Sequence, residues 1–227
     1  MTLLITIFPS LALVFYFIKS DKFKEPNRII IITFLFGVLI SLPAGYINDF
    51  IFKRFATGDE INEALLSGFF AGGPVEETLK FLVLYFYILR EKAFNEPMDA
   101  IVYGVLISLG FATLENFNYV YYSNIEGVTS QDIAWVRSYS AIPMHGLCGV
   151  IMGFYFGQYT FSADKKYLGL AIIVPIIFHG SYNFLVSFNF LYALLIIIIG
   201  FIFALILHRN LKLAQKQKTK EHEEKKV

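Results

Sequence analysis

The chain alternates between long apolar runs and short polar segments. A helix needs about 20 predominantly apolar residues to cross a bilayer, and seven runs approach or exceed that length. The pattern therefore predicts an all-α, polytopic membrane helix bundle with about seven spans. The predicted spans cover residues 2–18, 29–49, 64–89, 99–122, 138–161, 167–187 and 190–208.

Lysine and arginine are unevenly distributed among the polar segments that join these spans. Most of them fall in alternate segments and in the C-terminal tail, whereas the opposite set holds only Lys53, Arg54 and Arg137. Cytoplasmic loops are enriched in Lys and Arg. We therefore predict that the N-terminus is outside and the C-terminus inside.

The spans and the tail predict a simple domain organisation. Residues 1–208 form one transmembrane domain with a catalytic core at about 64–187, and residues 209–227 form a charged cytoplasmic tail that is disordered. Met1–Ile18 lacks a basic start and a cleavage site of small residues. It is therefore predicted to be a retained first span and not a signal peptide.

Composition agrees with a protein whose surroundings are the lipid bilayer. Hydrophobic residues make up 56% of the chain, compared with roughly 45–50% in soluble domains. The formal net charge of +1 gives no indication of a nucleic-acid partner. Cys148 is the one cysteine, which excludes an intrachain disulfide. No feature of the sequence indicates an oligomeric state.

The stretch GGPVEETLK, residues 72–80, places two carboxylates and an ammonium directly before an apolar run. Glycine and proline continue a helix poorly, but proline is well suited to the first turn of a new one. The sequence therefore predicts a broken helix at Gly72–Pro74, preceded by a short helix capped near Thr57 or Asp59. Irregular backbone at membrane depth is tolerated where it lines protein or water.

Several polar side chains are predicted to lie at one depth in the membrane. Each ionisable residue there costs on the order of 2.5–3.5 kcal/mol and so requires a partner, water or a function. With about 1.5 Å of rise per residue, the groups on four consecutive spans lie about 18–25 Å from the inner ends. We predict one site from the residues Glu76, Glu77, Glu115, His145, His179 and Asn183, supported by Lys80 and Asn116.

This set is suited to hydrolysis of a peptide bond. A carboxylate that binds water can act as a general base, and imidazoles can stabilise an oxyanion or protonate a leaving amine. Asn183 lies one turn after His179, so its amide could donate to the same oxyanion. No cofactor is required by this pattern, although zinc could be bound with an open position. The available zinc ligands are Glu76, Glu115, His145 and His179.

Two other classes of function fit parts of the pattern. Glu and His within membranes also serve as proton relays, which makes a proton-coupled transporter or channel an alternative, although no repeat halves are detectable. Intramembrane His and Asn side chains also act as hydrogen-bonding groups between packed helices. A non-catalytic scaffold or immunity protein is therefore a third alternative.

Four short motifs resemble those of the PrsW family of bacterial membrane proteases. That family belongs to a wider group with type II CaaX-prenyl endopeptidases and bacteriocin-processing or immunity proteins. The resemblance covers roughly Gly72 to Asn183. The motifs are E-E-x-x-K at Glu76–Lys80, F-A-T-L-E-N at Phe111–Asn116, His145, and H-x-x-x-N at His179–Asn183.

The resemblance implies a protease of the bacterial cytoplasmic membrane that cleaves a membrane-anchored protein, such as an anti-sigma factor. It also implies that Glu76 and Glu77 activate water, assisted by the other candidate residues. Two positions depart from the wider group: Lys80 replaces an arginine that normally lies one position later, and Glu115 replaces a histidine. Both departures fit the PrsW branch and argue against processing of prenylated proteins.

Overall fold

A computed structural model describes residues 1–123 and 125–224, with side chains described as far as Gln217. These residues form helices and connecting turns, with no strand among them. The α-helices are α1 Thr2–Ser20, α2 Asn27–Phe55, α3 Glu60–Leu65, α4 Gly72–Phe86, α5 Pro97–Tyr122, α6 Ser130–Tyr139, α7 Ala141–Ser162, α8 Lys166–Phe188 and α9 Phe190–Glu224. A π-helical turn, Leu66–Phe70, precedes α4, and a 3₁₀ turn, Ile88–Arg90, follows it.

Within the described residues, six helical stretches are long and apolar enough to cross a membrane. They are α1, α2, α5, the combined α6–α7 stretch, α8 and α9. The all-α membrane bundle is therefore confirmed. The predicted third span, residues 64–89, is not among the six, because the structure divides it between α3, the π-helical turn and the 15 residues of α4.

Contacts between helix ends show how the chain alternates between the two ends of the bundle. Gln215 in α9 donates a hydrogen bond to Asp21, which follows α1. Tyr103 in α5 donates one to Glu25, which precedes α2. The end of α1 and the starts of α2 and α5 therefore share one end of the bundle.

This arrangement determines the path of the broken segment. Since α2 has 29 residues, it ends about 43 Å from where it began. Residues 56–96 must therefore return across the bundle, and they complete a seventh passage. Met1 and the late part of α9 consequently lie at opposite ends. The assignment of the Met1 end to the outside remains a prediction from the loop charges.

The centre of the bundle is the pair α5 and α7, whose backbones are in direct contact. A Cβ atom at Gly153 of α7 would lie 2.2 Å from the backbone oxygen of Ala100, and one at Gly104 would lie 2.5 Å from that of Gly149. Small residues allow membrane helices to approach this closely. The close contact brings α4 and α8 within reach of side chains on α5 and α7.

The predicted break before α4 is confirmed. Asp59 caps α3 by accepting a hydrogen bond from the backbone N–H of Asn62 at 2.9 Å. Ala71 has φ −110° and ψ −90°, outside the helical region, and α4 starts immediately after it. The turn packs on α8 through backbone: a Cβ at Gly180 would lie 2.7 Å from the oxygen of Gly68.

The C-terminal segment differs from the prediction. Helix α9 continues to Glu224, so residues 209–224 do not match the predicted disorder and the helix does not end at 208. Leu211 and Gln215 are one turn apart and both buried, which explains why the helix continues along the bundle. Residues 225–227 of the predicted tail lie outside the described part of the chain.

Candidate functional site

Six of the predicted side chains form one group, linked by hydrogen bonds and ion-pair contacts, between α4, α5, α7 and α8, which we name the Glu76 cluster. Its members are Glu76, Glu77, Lys80, Glu115, His145 and His179. Side chains that are up to 103 positions apart in the chain, and that were predicted to lie at one depth, are therefore close together in the structure. Asn183 lines the adjoining cavity, and Asn116 lies beside the cluster.

Lys80 and Glu77 form the innermost pair of the cluster. The Lys80 Nζ atom lies 2.6 Å from Glu77 Oε1 and 3.9 Å from Glu76 Oε2, and both side chains of the closer pair are fully buried. Glu77 Oε1 also lies 2.7 Å from Nδ1 of His179. Glu77 is therefore the nearer counter-charge of Lys80 and also an anchor for His179.

The donors in this network define the hydrogen positions on both histidines. An ammonium can only donate, so Nδ1 of His145 accepts from Lys80 at 2.9 Å. Nε2 of His145 then carries the hydrogen that is donated to Glu115 at 2.9 Å. His179 instead donates from Nδ1 to Glu77, so the neutral form of its imidazole has a lone pair on Nε2.

Glu76 lies at the boundary between this network and an open space. Its Oε1 accepts a hydrogen bond from Nδ2 of Asn48 at 3.2 Å. Its Oε2 lies 3.8 Å from Nε2 of His179 and has no hydrogen-bond partner among the described residues. Oε2 of Glu77 also has no hydrogen-bond partner among the described residues, but Glu77 does not line the open space. Glu76 therefore differs from Glu77, because its free oxygen lies at the open space beside Nε2 of His179.

A cavity of 280 Å³ adjoins the cluster on its Glu76 side. Its wall contains acidic, amide and aromatic side chains from six helices together with the π-helical turn. The lining residues are Asn48, Asp49, Phe52, Ser67, Gly72, Glu76, Glu115, Tyr119, Arg137, Ala141, Met144, His145, His179, Tyr182 and Asn183. Glu77 and Lys80 are not in this wall, so they act on the cavity only through their neighbours.

Three of the cluster residues are placed to hold a metal ion. Glu76, His145 and His179 are buried and each offers a ligand atom within 4.8 Å of the others. Glu76 Oε2 and His179 Nε2 have unused bonding capacity, and a histidine that donates its other N–H to a carboxylate is a common metal ligand. Both ring nitrogens of His145 are already hydrogen-bonded, so it would have to exchange one contact to bind a metal. The donor set therefore fits a metal best at Glu76 and His179.

Glu115, the fourth zinc ligand suggested by the sequence, does not join that group. Its Oε2 accepts hydrogen bonds from His145 and, at 2.6 Å, from Nη2 of Arg137. Asn116 accepts from Nε of Arg137 at 2.8 Å and donates to the backbone oxygen of Thr6 at 2.7 Å. Arg137 and Asn48 are therefore site residues that the sequence argument missed.

Comparison with known proteins agrees with the motif resemblance. A family model described as PrsW family intramembrane metalloprotease matches residues 25–208, which include every residue of the Glu76 cluster. No solved structure matches the chain.

Three curated relatives, each named Protease PrsW, match most of the chain. The protein from Bacillus subtilis (strain 168) is 38% identical over 183 residues, covering 79% of this chain and 79% of the relative. The protein from Geobacillus kaustophilus (strain HTA426) is 36% identical, covering 78% and 76% respectively. The protein from Clostridioides difficile (strain 630) is 31% identical, covering 86% and 83%. The chain therefore belongs to the PrsW family of intramembrane metalloproteases.

Proposed function

We propose that this chain is a membrane-embedded peptidase that hydrolyses a peptide bond of a membrane-anchored protein at the cavity beside Glu76. The observation that carries the proposal is the buried group of Glu76, His145 and His179, whose ligand atoms lie within 4.8 Å of one another at the cavity wall. The family supports a protease over the transporter alternative.

A divalent metal such as zinc is part of this proposal. Glu76 and His179 would hold it, and His145 would join them by exchanging one of its two hydrogen bonds. When bound, such an ion activates water and polarises a carbonyl group. The Glu76 carboxylate is therefore required by the glutamate-based chemistry that the sequence predicts and also by a metal-dependent reaction.

The two adjacent glutamates have different proposed roles. Glu76 faces the cavity, oriented by the 3.2 Å hydrogen bond from Asn48, and we assign it to hold the metal ion that would activate the reacting water. Glu77 faces inward, fixes His179 through Nδ1 and is neutralised by Lys80. Of the two glutamates, Glu76 is therefore the one proposed to take part directly in the reaction.

Asn183 is proposed to stabilise the oxygen of the scissile carbonyl. Its Nδ2 lines the cavity and donates only a long hydrogen bond, 3.4 Å, to the backbone oxygen of Ser67. Amide donors aimed at a developing oxyanion stabilise the transition state more than the ground state. His179 precedes Asn183 by one helical turn, so both groups face the same space.

The site lies nearer to the Met1 end of the bundle, since Glu115 is seven residues from the end of α5. With the predicted N-out orientation, the cleaved bond lies on the outer side of a bacterial cytoplasmic membrane. A membrane-anchored regulator of the anti-sigma type is the substrate that the motif resemblance implies.

The test is a comparison of membrane protein fragments in strains that express wild type, Glu76→Gln or Glu63→Gln. Glu63 is an exposed glutamate of α3 and serves as the matched control. Labelling of new N-termini followed by mass spectrometry should detect fragments in wild type and E63Q that disappear in E76Q. Unchanged fragments in E76Q would contradict the proposal.

Two further results would favour the alternatives. Proton flux in proteoliposomes without proteolysis would support a transporter. Complementation by an E76Q/E77Q double mutant would support a scaffold.

A further inference from the structure

Arg137 is fixed against α5 by three contacts. Its Nη2 lies 2.6 Å from Glu115 Oε2, and its Nε lies 2.8 Å from Asn116 Oδ1. Its guanidinium carbon lies 3.9 Å from the centre of the Tyr119 ring. Glu115, Asn116 and Tyr119 lie on one face of α5, so the guanidinium covers that face over one helical turn.

The local fold around α6 positions the Arg137 side chain at the cavity. Thr129 and Asp132 form a capping box that starts α6. Ser140, with φ −121° and ψ −76°, separates α6 from α7 and allows α6 to lean on α5. Ser140 is held in turn by the Tyr182 hydroxyl, which donates to its Oγ at 3.1 Å. The Arg137 side chain is consequently only 15% exposed.

The contact with Glu115 connects Arg137 to the Glu76 cluster. One oxygen, Glu115 Oε2, accepts hydrogen bonds both from Arg137 and from Nε2 of His145. A guanidinium stays charged and presents its donors in a rigid plane. It therefore holds Glu115 as an acceptor at one position, and Glu115 together with Lys80, which bonds Nδ1, orients the His145 imidazole.

We propose that Arg137 is a positioning residue of the peptidase reaction, holding the Glu115 carboxylate against His145 at the cavity wall. This inference rests on the proposed function. Arg137 acts through Glu115, whereas a purely structural contact between α6 and α5 would stabilise the fold and affect the reaction only through folding.

A double-mutant cycle separates these two roles. The probe is the membrane-anchored protein whose cleavage depends most strongly on Glu76, reconstituted with the full chain in liposomes. We expect Arg137→Ala to lower kcat by about 100-fold while KM changes little, because misplacement of a positioned group costs about that much. Combined with Glu115→Gln, it should add almost no further loss, since the two residues act as a unit. Arg54→Ala, on exposed α2 surface, should be neutral alone and additive with E115Q.

Rescue provides a second kinetic readout. Added guanidinium at concentrations below those that unfold the protein should restore part of the R137A activity and leave wild type unchanged. Arg137→Lys should retain more activity than R137A, because it keeps the charge but loses the planar pair of contacts. Full additivity in the cycle, or R137A activity equal to wild type, would overturn the proposal while leaving a Glu76-dependent protease intact.

The resting protein provides a readout that does not require cleavage. In ¹⁵N-histidine-labelled protein, the Nε2–H proton of His145, identified by its absence in His145→Gln, should give a downfield NMR signal typical of an N–H bonded to a carboxylate. R137A and E115Q should shift or broaden this signal, whereas R137K and R54A should retain it. An unchanged signal in R137A would also overturn the proposal, even if no substrate had been found.

Discussion

Buried carboxylates occur at both ends of this bundle, but their partners differ. Near the Met1 end, the Glu76 cluster combines three carboxylates with two imidazoles and one ammonium. At the other end, a second group, which we name the Asp21 cluster, contains Asp21, Glu25, Glu96 and Asp99. Three of its members, Asp21, Glu25 and Asp99, also place oxygen atoms within 4.8 Å of one another.

The contacts of the Asp21 cluster connect the ends of helices. Asp99 accepts from the backbone N–H groups of Asn95 and Glu96 at 2.9 Å, which caps the start of α5. Asp21 accepts from Gln215 at 2.8 Å, and Glu25 accepts from Tyr103. These hydrogen bonds link the ends of α1 and α9 to the starts of α2 and α5.

The difference shows that the burial of acid is common to both clusters and does not distinguish them. In the Asp21 cluster the donors include a side-chain amide, a phenol and backbone N–H groups, and their hydrogen bonds hold helix ends together. Both clusters contain carboxylate oxygens without a hydrogen-bond partner among the described residues, and in the Glu76 cluster one of them lies beside an imidazole at the wall of a cavity. Substitutions of similar chemistry in the two clusters should therefore have different effects.

The largest contrast should be in proteolysis. Glu76→Gln should lower kcat/KM on the order of 10³-fold, because it removes a charged group at the reacting centre. Glu25→Gln should leave kcat/KM within a few-fold of wild type, since Glu25 lies in the other cluster. The measurement is cleavage of the same membrane substrate by purified proteins in liposomes. Equal losses in the two variants would remove the distinction between the clusters.

Metal content should separate His179 from His208, a buried histidine outside the Glu76 cluster. His208 lies near the Asp21 end, with its Nε2 3.0 Å from Ser20 Oγ. Protein purified without chelator should contain about one metal ion per chain. Elemental analysis should show this ion in His208→Ala but not in His179→Ala, and Glu77→Gln should weaken its affinity by about 10- to 100-fold. An active wild type without metal would contradict the metal-dependent reaction.

Lys80 provides a contrast in stability with an exposed ion pair. Lys80→Met leaves the buried Glu77 without its counter-charge and should reduce the free energy of unfolding by about 3–5 kcal/mol. Lys53→Met breaks the Lys53–Asp49 pair, whose side chains are 76% and 56% exposed respectively, and should have an effect below about 1 kcal/mol. Unfolding in detergent micelles measures both. The double mutant K80M/E77Q should recover part of the loss, and no recovery would show that the ion pair is not the cause.

The smallest effect is a pH dependence at the Asp21 cluster. Burial raises the pKa of Glu25, and the nearby Asp21 and Glu96 carboxylates act in the same direction. A carboxyl whose pKa is higher in the folded state binds its proton more tightly there. Its stabilisation is therefore complete below the unfolded pKa and lost as pH rises through the folded pKa.

Glu25→Gln should remove this dependence. Between mildly acidic and mildly alkaline buffer, its Tm should fall by about 2 °C less than that of wild type. Glu63→Gln, on the exposed face of α3, should follow the wild-type curve. Thermal unfolding across this pH range is the measurement, and identical curves for E25Q and wild type would show that Glu25 does not titrate differently on folding.

The sequence predicted how deep each polar residue lies along its helix. It did not predict how each helix is rotated about its axis, and therefore which way each side chain faces. Rise per residue and alternating direction placed Glu77, Glu115, His145 and His179 in one layer, and the contacts agree. Those rules carry no information on rotation, so they could not show that Lys80 lies closer to Glu77 than to Glu76. They also could not show that, of the adjacent glutamates Glu76 and Glu77, it is Glu76 that lines the cavity.

Arg137 and α9 were mispredicted for different physical reasons. Arg137 was assigned to an outer loop because its charge suits water, but the backbone break at Ser140 turns α6 onto α5 and buries it. The feature of the sequence that could have placed Arg137 in the site is its position eight residues before His145. In α9, the charged composition predicted disorder, and two buried residues, Leu211 and Gln215, were too few to outweigh it.

The glycine contact between the π-helical turn and α8 has a consequence for how such proteases diversify. Side chains that line the cavity border open space and can be exchanged to accept another substrate. A methyl group at Gly180 would instead meet backbone at 2.7 Å and push His179 away from Glu76 and Glu77. Substrate preference can therefore change within this architecture, whereas the distance between α4 and α8 has to stay the same.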